Sequence, residues 1–255
     1  MFLGVAIATT SFAQEKERKR NKKDERRQRI SAISKQEEEG VIKYKKHIAF
    51  GAKLYSDGYG GFFEIGRAQS IKRSLLFQLE MAERKHPREE KQQLEFSQNV
   101  PLTYGKVNFF YPVKLGVQQQ LILGNKGNKN GISVTANVGG GLVLGLLRPY
   151  EIDLDNNGKR GYVSFYDDST AFLNESGYVR GPSFGTGWNR LKVTPGIYIK
   201  PSLRFDYGKY NEMMNALEVG LTAEMYSKPI RQMVFQDARR YFVSAFVAII
   251  FGRRK

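Results

Sequence analysis

Cysteine is absent from this 255-residue chain, which excludes disulfides, a thiol nucleophile and any cysteine-ligated zinc. Histidine is nearly absent: His47 and His86 are the only two, so little imidazole catalysis is available. No apolar run approaches the roughly 20 residues that a membrane helix requires. The longest, Tyr241 to Phe251 with one Ser inside it, instead matches the roughly 9 to 11 residues of a membrane β-strand. Acids are in deficit, 25 against 41 Lys and Arg, for a formal charge of +16.

Much of that excess lies near the N-terminus. The opening "MFLGVAIATTSFAQ" has an apolar segment from Phe2 to about Ala8, then Ser11-Phe12-Ala13 as a small-residue cleavage site. It reads as a secretory signal peptide, residues 1–13, although no Lys or Arg precedes the apolar run, which leaves the true translation start open. Residues 14–46 follow as a charged arm with too little apolar surface to fold alone, expected to be disordered or partly helical. It is either a basic tether for an anionic surface or partner, or a plain solvated leader. Nucleic acid is not expected as a partner, because a secreted arm leaves the cytoplasm and no base-stacking module accompanies it.

From His47 to the C-terminus the pattern is period two, the signature of half-buried strands. Eight runs can be counted. In the sixth, "IYIKPSLRFDYG", Ile197, Ile199, Leu203, Phe205 and Tyr207 share one parity with Pro201, against Tyr198, Lys200, Ser202, Arg204 and Asp206. Pro201 has no N–H to give a ladder, so a bulge is expected there. The connections after runs two, four and six are compact, and those after three, five and seven are long; only the first, short where a long one belongs, breaks the alternation. Tight turns at one end and long loops at the other, with an even strand count, describe an outer-membrane barrel with both termini in the periplasm.

The alternative is a soluble secreted β-sandwich acting as a binding module. Against it stand runs longer than the usual five or six residues. Tyr55, Tyr104, Tyr207, Tyr226 and Tyr241 near run ends also suit interfacial aromatic girdles. The charges on the minor parity weigh most: Lys53, Glu64, Glu80, Lys114, Lys200, Arg204, Asp206, Glu218 and Glu224. In an eight-stranded barrel they point into a narrow, filled interior and must pair, because an isolated buried charge costs several kcal/mol. Four bases face five acids, close to balance. Gly51, Gly66, Gly116, Gly139, Gly141 and Gly220 on the same parity leave room for long side chains. The expected fold is therefore all-β, an eight-stranded antiparallel transmembrane barrel over residues 47–255.

The segments "YGKVNFFYPVKLGV", "GGGLVLGLLRP" and "RYFVSAFVAIIFGRRK" resemble the small outer-membrane β-barrel proteins of Gram-negative bacteria, most nearly an uncharacterised barrel family of the Bacteroidetes. The resemblance covers His47 to Lys255 and rests on pattern. Such barrels usually end in an aromatic residue within the last strand; Phe251 takes that place, with Gly252 to Lys255 following it.

Three features bear on chemistry. His47 at the periplasmic rim and His86 in an outer loop fall at opposite ends, and no Ser-His-acid set is within reach, so no catalytic residues are expected; an outer-membrane lipid-modifying enzyme is the alternative. Asp153, Asp155 and Asn157, followed by Gly158, match the start of a calcium loop, but position twelve is Ser164, not an acid, so an Asx-rich turn competes with calcium as the reading. No other cofactor is implied. The loop from about Pro149 to Arg190 carries Tyr162, Phe165, Tyr166, Phe172, Tyr178, Phe184 and Trp188, which fit a recognition surface and equally a loop packed on itself. A structural or interaction role in the outer membrane is expected, with lipid around the barrel and a periplasmic or extracellular protein as partner.

Overall fold

The structure, a computed structural model, describes residues 45–70, 72–91, 102–124, 131–156, 159–174, 178–208 and 213–254. The expected signal peptide (1–13) and the expected arm (14–46) up to residue 44 lie outside the described residues. Among the described residues no helix is long and apolar enough to cross a membrane.

Among the described residues eleven strands follow in chain order. They are β1 (Lys46–Tyr55), β2 (Gly58–Ala68), β3 (Arg73–Arg84), β4 (Asn108–Gly124), β5 (Ser133–Pro149), β6 (Glu151–Asn156), β7 (Lys159–Ser164), β8 (Tyr178–Arg180), β9 (Lys192–Asp206), β10 (Met213–Ile230) and β11 (Arg239–Arg254). Among the described residues one short α-helix, α1 (Ser169–Leu173), is capped by the Asp168 carboxylate, which accepts from the N–H groups of Thr170 and Ala171. Eight of the strands close an antiparallel barrel in the order β1-β11-β10-β9-β5-β4-β3-β2.

Closure follows from register. Ala49 pairs directly with Gly252. The path round the other strands, Ala49–Glu64–Gln78–Gly116–Gly141–Tyr198–Glu224–Phe242, reaches β11 ten residues away at Phe242. Such a stagger tilts the strands by roughly 35–45° to the barrel axis. Because ten is even, inward positions stay inward all the way round, and one parity can serve a single continuous interior.

Pro201 forms no bulge, contrary to the sequence expectation. Val138 pairs with Pro201 on one side, and the β10 register runs unshifted from Gly220–Ser202 to Ala223–Ile199 on the other. The missing N–H interrupts the ladder locally without inserting a residue, and the ring faces outward.

The interior glycines are spaced for rings and amides more than for charges. A Cβ on Gly116 would lie 2.3 Å from the Tyr198 hydroxyl, and one on Gly66 would fall inside the His47 ring. Aromatic clusters share the lumen with the charged residues: Tyr55, Phe62 and Phe246 in one, Phe110, Tyr198 and Tyr226 with Phe242 in another.

The long connection after β5 is not an irregular loop. β6, β7 and β8 form a separate sheet in the order β7-β6-β8. Beneath it lies a small core of Leu102, Tyr150, Ile152, Leu154 and Phe172, with Val234 packed against it, so the connections after β3, β5 and β10 share one hydrophobic cluster. Backbone bonds tie them further, Val107 N–H donating to Gln232 O and Val234 N–H to Gly105 O, both at 2.8 Å.

Candidate functional site

The nine charged residues expected on the inward parity are carried on six of the eight barrel strands and meet in the lumen. Lys53, Glu64, Glu80, Lys114, Lys200, Arg204, Asp206, Glu218 and Glu224 are all at most 4% exposed. They separate into two layers and a rim pair.

In the layer nearer the long loops, Lys114 on β4 bridges Glu80 on β3 and Glu224 on β10, at 2.7 Å to each. Lys53 and the Tyr55 hydroxyl donate to the two oxygens of Glu80. Tyr226 donates to Glu224 at 2.7 Å. Lys53 also lies 4.6 and 4.9 Å from the Phe62 and Phe246 ring centroids. A cation desolvated over two ring faces gains from both quadrupoles.

This layer contains a residue that the parity count leaves out. Arg84, at the end of β3, donates to Glu224 at 2.6 Å and to Asp57 at 3.2 Å, and is 2% exposed. With Arg84 the interior bases rise to five, level with the five acids. Its parity, shared with Gln78, Glu80 and Ala82, is the sequence signal that points to it.

In the second layer, Arg204 lies between two carboxylates. It donates to both oxygens of Glu64 at 2.8 Å, and to Glu218 from Nε at 2.9 Å and Nη2 at 2.7 Å. Planar, bidentate geometry of this kind suits guanidinium and would not suit a lysine. Ser202 donates to Glu218 at 2.8 Å, and Lys200 lies 3.5 Å from the same residue while donating to Gln78 at 2.5 Å. His47 closes the layer 3.3 Å from Glu64. At the rim, Arg254 pairs with Asp206.

Two of the aromatics expected in interfacial girdles belong to this network instead. Tyr55 and Tyr226 face inward and are 8% and 1% exposed, because their hydroxyls are held by Glu80 and Glu224. Tyr207 and Tyr241 do face outward, at 51% and 65%, and Tyr104 sits in the loop after β3, stacked on Phe235.

The outside of the barrel is apolar on every strand, including Phe50, Phe63, Phe77, Leu115, Val138, Ile199, Leu221 and Val247, each more than 40% exposed. A closed ladder leaves no edge to hide such a belt against, and soluble monomers do not carry continuous apolar surface of that extent.

The seven aromatics of the long loop divide between the two roles left open. Phe165 and Phe172 pack edge to face in the loop core. Tyr166 accepts from Asn108 at 2.8 Å and lies under Lys192, and Tyr162 accepts from Arg180 at 2.9 Å. Trp188 stacks on Tyr111 and donates to Phe184 O at 2.6 Å. The side chain of Tyr178 is outside the described residues. Phe184, at 80%, is the most exposed of those described.

Arg148 fixes this loop to the barrel. It points outward from β5, yet the Phe109, Trp188, Phe184 and Tyr111 rings surround it at 4.1, 5.1, 5.8 and 5.9 Å, and it donates to Phe184 O at 2.7 Å. Nothing in the sequence alone brings these rings to one arginine.

The described part of the segment read as the start of a calcium loop, up to Asn156, is extended and pairs antiparallel with β7. Asp153 faces Tyr162, Asp155 faces Arg160 and Asn156 faces Lys159 in one register, and the Asp153 carboxylate accepts from Arg180 at 3.0 Å. A cation loop must wrap its oxygens round a point, whereas extended strands lay them along a line. Asn157 and the Asp155 side chain lie outside the described residues, and no group of three metal-ligating side chains occurs among the described ones.

The histidines sit apart. His47 is in the lumen on Glu64; His86 Nδ1 accepts the Arg88 N–H at 3.2 Å, and burial beside Arg239 and Arg88 pulls its pKa below the ordinary value. Nearby, Lys106 is buried against Glu89 at 2.5 Å and over the Phe109 ring, and burial lowers its pKa. After β7, Asp167 accepts from Arg190 at 2.8 Å and from the Ser164 hydroxyl at 2.7 Å, which holds its carboxyl well below the usual range.

No protein-family model matches the chain, and no curated protein matches it. Solved structures similar to it include Neisserial surface protein A, at 9% identity over 82% of this chain and 95% of that one, with a TM-score of 0.38. The N-terminal β-barrel domain of Pseudomonas aeruginosa OprF matches at 12% identity, 82% and 98% coverage, and 0.34. Ail, the attachment invasion locus protein of Yersinia pestis, matches at 7% identity, 84% and 100% coverage, and 0.39. At such scores the likeness adds nothing to the closed eight-stranded ladder, which stands on the registers of this chain.

Proposed function

We propose that the chain is an integral outer-membrane β-barrel with a structural or interaction role, without an open pore and without catalytic activity. The observation that carries this reading is the apolar belt on the outside of a closed barrel, with ionic and aromatic side chains packed inside it. A belt outside and charge inside is the arrangement lipid requires and water does not.

Three of the five interior acids, Glu80, Glu218 and Glu224, are each held by two bases, and these ion pairs occupy the space that a conducting pore would need. A protein partner is met at the outer end, where the folded sheet β6–β8 lies and Phe184 is exposed in the turn after β8. Residues 14–46 offer a second contact in the periplasm, after removal of residues 1–13. Kinship with the Bacteroidetes barrel family is part of the proposal and rests on the three sequence segments that resemble it.

The test is fractionation of cells expressing the full chain, followed by gel electrophoresis of boiled and unboiled samples. The proposal expects the protein in the outer-membrane fraction, with an unboiled band that migrates differently from the boiled one. A protein in the soluble fraction with identical bands would refute it.

A further inference from the structure

The rim that bears the start of β1 and the end of β11 is divided into two unlike halves. On β11, β1, β2 and β3, which are consecutive round the barrel, the outward column of apolar side chains ends in a base: Phe251 gives way to Arg253, Ile48 to Lys46, Ile65 to Arg67, and Leu75 to Arg73. On β4, β5, β9 and β10 the same columns run out in Leu123, Ile132, Tyr207 and Met213, exposed at 58, 56, 51 and 47%.

The four bases are exposed and close to one another. Lys46 and Arg67 are directly opposite in the ladder; Arg253 faces Ile48 and Arg67 faces Leu75, so Arg253 and Arg73 are the diagonal neighbours of that pair. Like charges directly opposite destabilise a sheet. No acidic side chain among the described residues pairs with any of the four; the acids at this end, Glu64 and Asp206, face inward onto Arg204 and Arg254. The arc therefore calls for an external anion, at the depth where the lipid-facing column meets the interface.

We propose that this arc, Arg253–Lys46–Arg67–Arg73, binds the phosphate headgroups of anionic phospholipids and gives the barrel a preferred lipid on one half of its circumference. The site rests on the membrane-barrel reading. Its bases share the parity of the lipid-facing residues, so a phospholipid whose acyl chains lie on Ile48, Ile65, Phe77 and Phe251 carries its phosphate to them. A cation at the interface attracts an anionic lipid, and the attraction is screened by salt.

The test is electron paramagnetic resonance of acyl-chain spin-labelled phosphatidylglycerol and phosphatidylcholine with the full chain reconstituted in phosphatidylcholine vesicles. Motional restriction of the acyl chain reports lipid on the barrel wall. The proposal expects phosphatidylglycerol to be favoured by about threefold at low salt, and the preference to disappear when Lys46, Arg67, Arg73 and Arg253 are replaced by Ser. It should persist in Arg67→Lys/Arg73→Lys/Arg253→Lys protein, and in Arg239→Ser/Arg240→Ser protein altered at the opposite rim. Equal restriction of both lipids by the wild-type barrel, or an undiminished preference in the fourfold Ser variant, would overturn the site. A heat-modifiable band from the same vesicles keeps those failures separate from failure to form a membrane barrel, in which no restricted lipid of either kind would appear.

Discussion

Arg204 on β9 reaches across the lumen to Glu64 on β2, four strands away in either direction, and holds both carboxylate oxygens at 2.8 Å. Because Glu218 on the neighbouring β10 holds the same guanidinium, one side chain ties opposite walls of the barrel together. Breaking a buried pair from one side costs about 3–5 kcal/mol, since the abandoned charge stays buried. Arg204→Met abandons two carboxylates and is expected to lose at least that much. Glu64→Gln leaves Arg204 on Glu218 and is expected to cost about 1–3 kcal/mol. Urea unfolding followed by the heat-modifiable band ranks the two, and an Arg204→Met barrel as stable as the wild type would contradict the strap.

Arg84 and Glu224 make a second such connection, again between opposite strands, β3 and β10. Lys114 stands beside them and shares Glu224, so single substitutions mix several contacts. A double-mutant cycle with Arg84→Met and Glu224→Gln separates the pair, with an expected coupling of about 0.5–3 kcal/mol. Coupling near zero would mean that Asp57 or Lys114 does the work instead.

Trp188 is the only tryptophan in the chain, so its fluorescence reports the long loop without labelling. Arg148→Ala removes the cation from among the four rings and leaves Trp188 as the remaining side-chain donor to the carbonyl of Phe184. The emission should shift to the red while the barrel keeps its gel mobility, because the loss lies outside the lumen. An unshifted spectrum would show that the loop holds its place without Arg148.

The pH response of the same loop follows from Asp167, whose carboxyl is held low by Arg190 and Ser164. A depressed pKa in the folded state stabilises the loop above the free value of about 3.9, and that contribution is lost as pH falls through the folded value. Trp188 emission is therefore expected to hold steady down to about pH 4 and to change below it. Asp167→Asn protein should show a smaller change over the same range. An identical titration in the variant would assign the transition to another group.

Strand number and parity were legible in the sequence because lipid outside and paired charge inside impose opposite chemistry on alternate residues. Ile197 to Asp206 shows this most plainly. The partners were not legible: Glu64 and Arg204 are 140 positions apart, and only the stagger of the closed barrel brings them together. Arg84 was missed because a strand end and a loop start look alike in sequence. Tyr55 and Tyr226 were misplaced because a tyrosine near a strand end suits an interface as well as a buried carboxylate. The sheet β6–β8 was hidden for a related reason, its strands being three to six residues long and rich in turn-forming Asp, Asn and Gly.

The claim that the outward parity faces lipid can be tested strand by strand, because the chain has no cysteine to interfere. Single cysteines along β9 at Ile197, Tyr198, Ile199, Ser202, Leu203 and Phe205, labelled with an environment-sensitive fluorophore, can be probed in vesicles with lipids brominated on the acyl chains. The structure predicts quenching that alternates along the strand, strong at 197, 199, 203 and 205 and weak at 198 and 202. Uniform quenching, or none at the apolar positions, would contradict a membrane-spanning barrel.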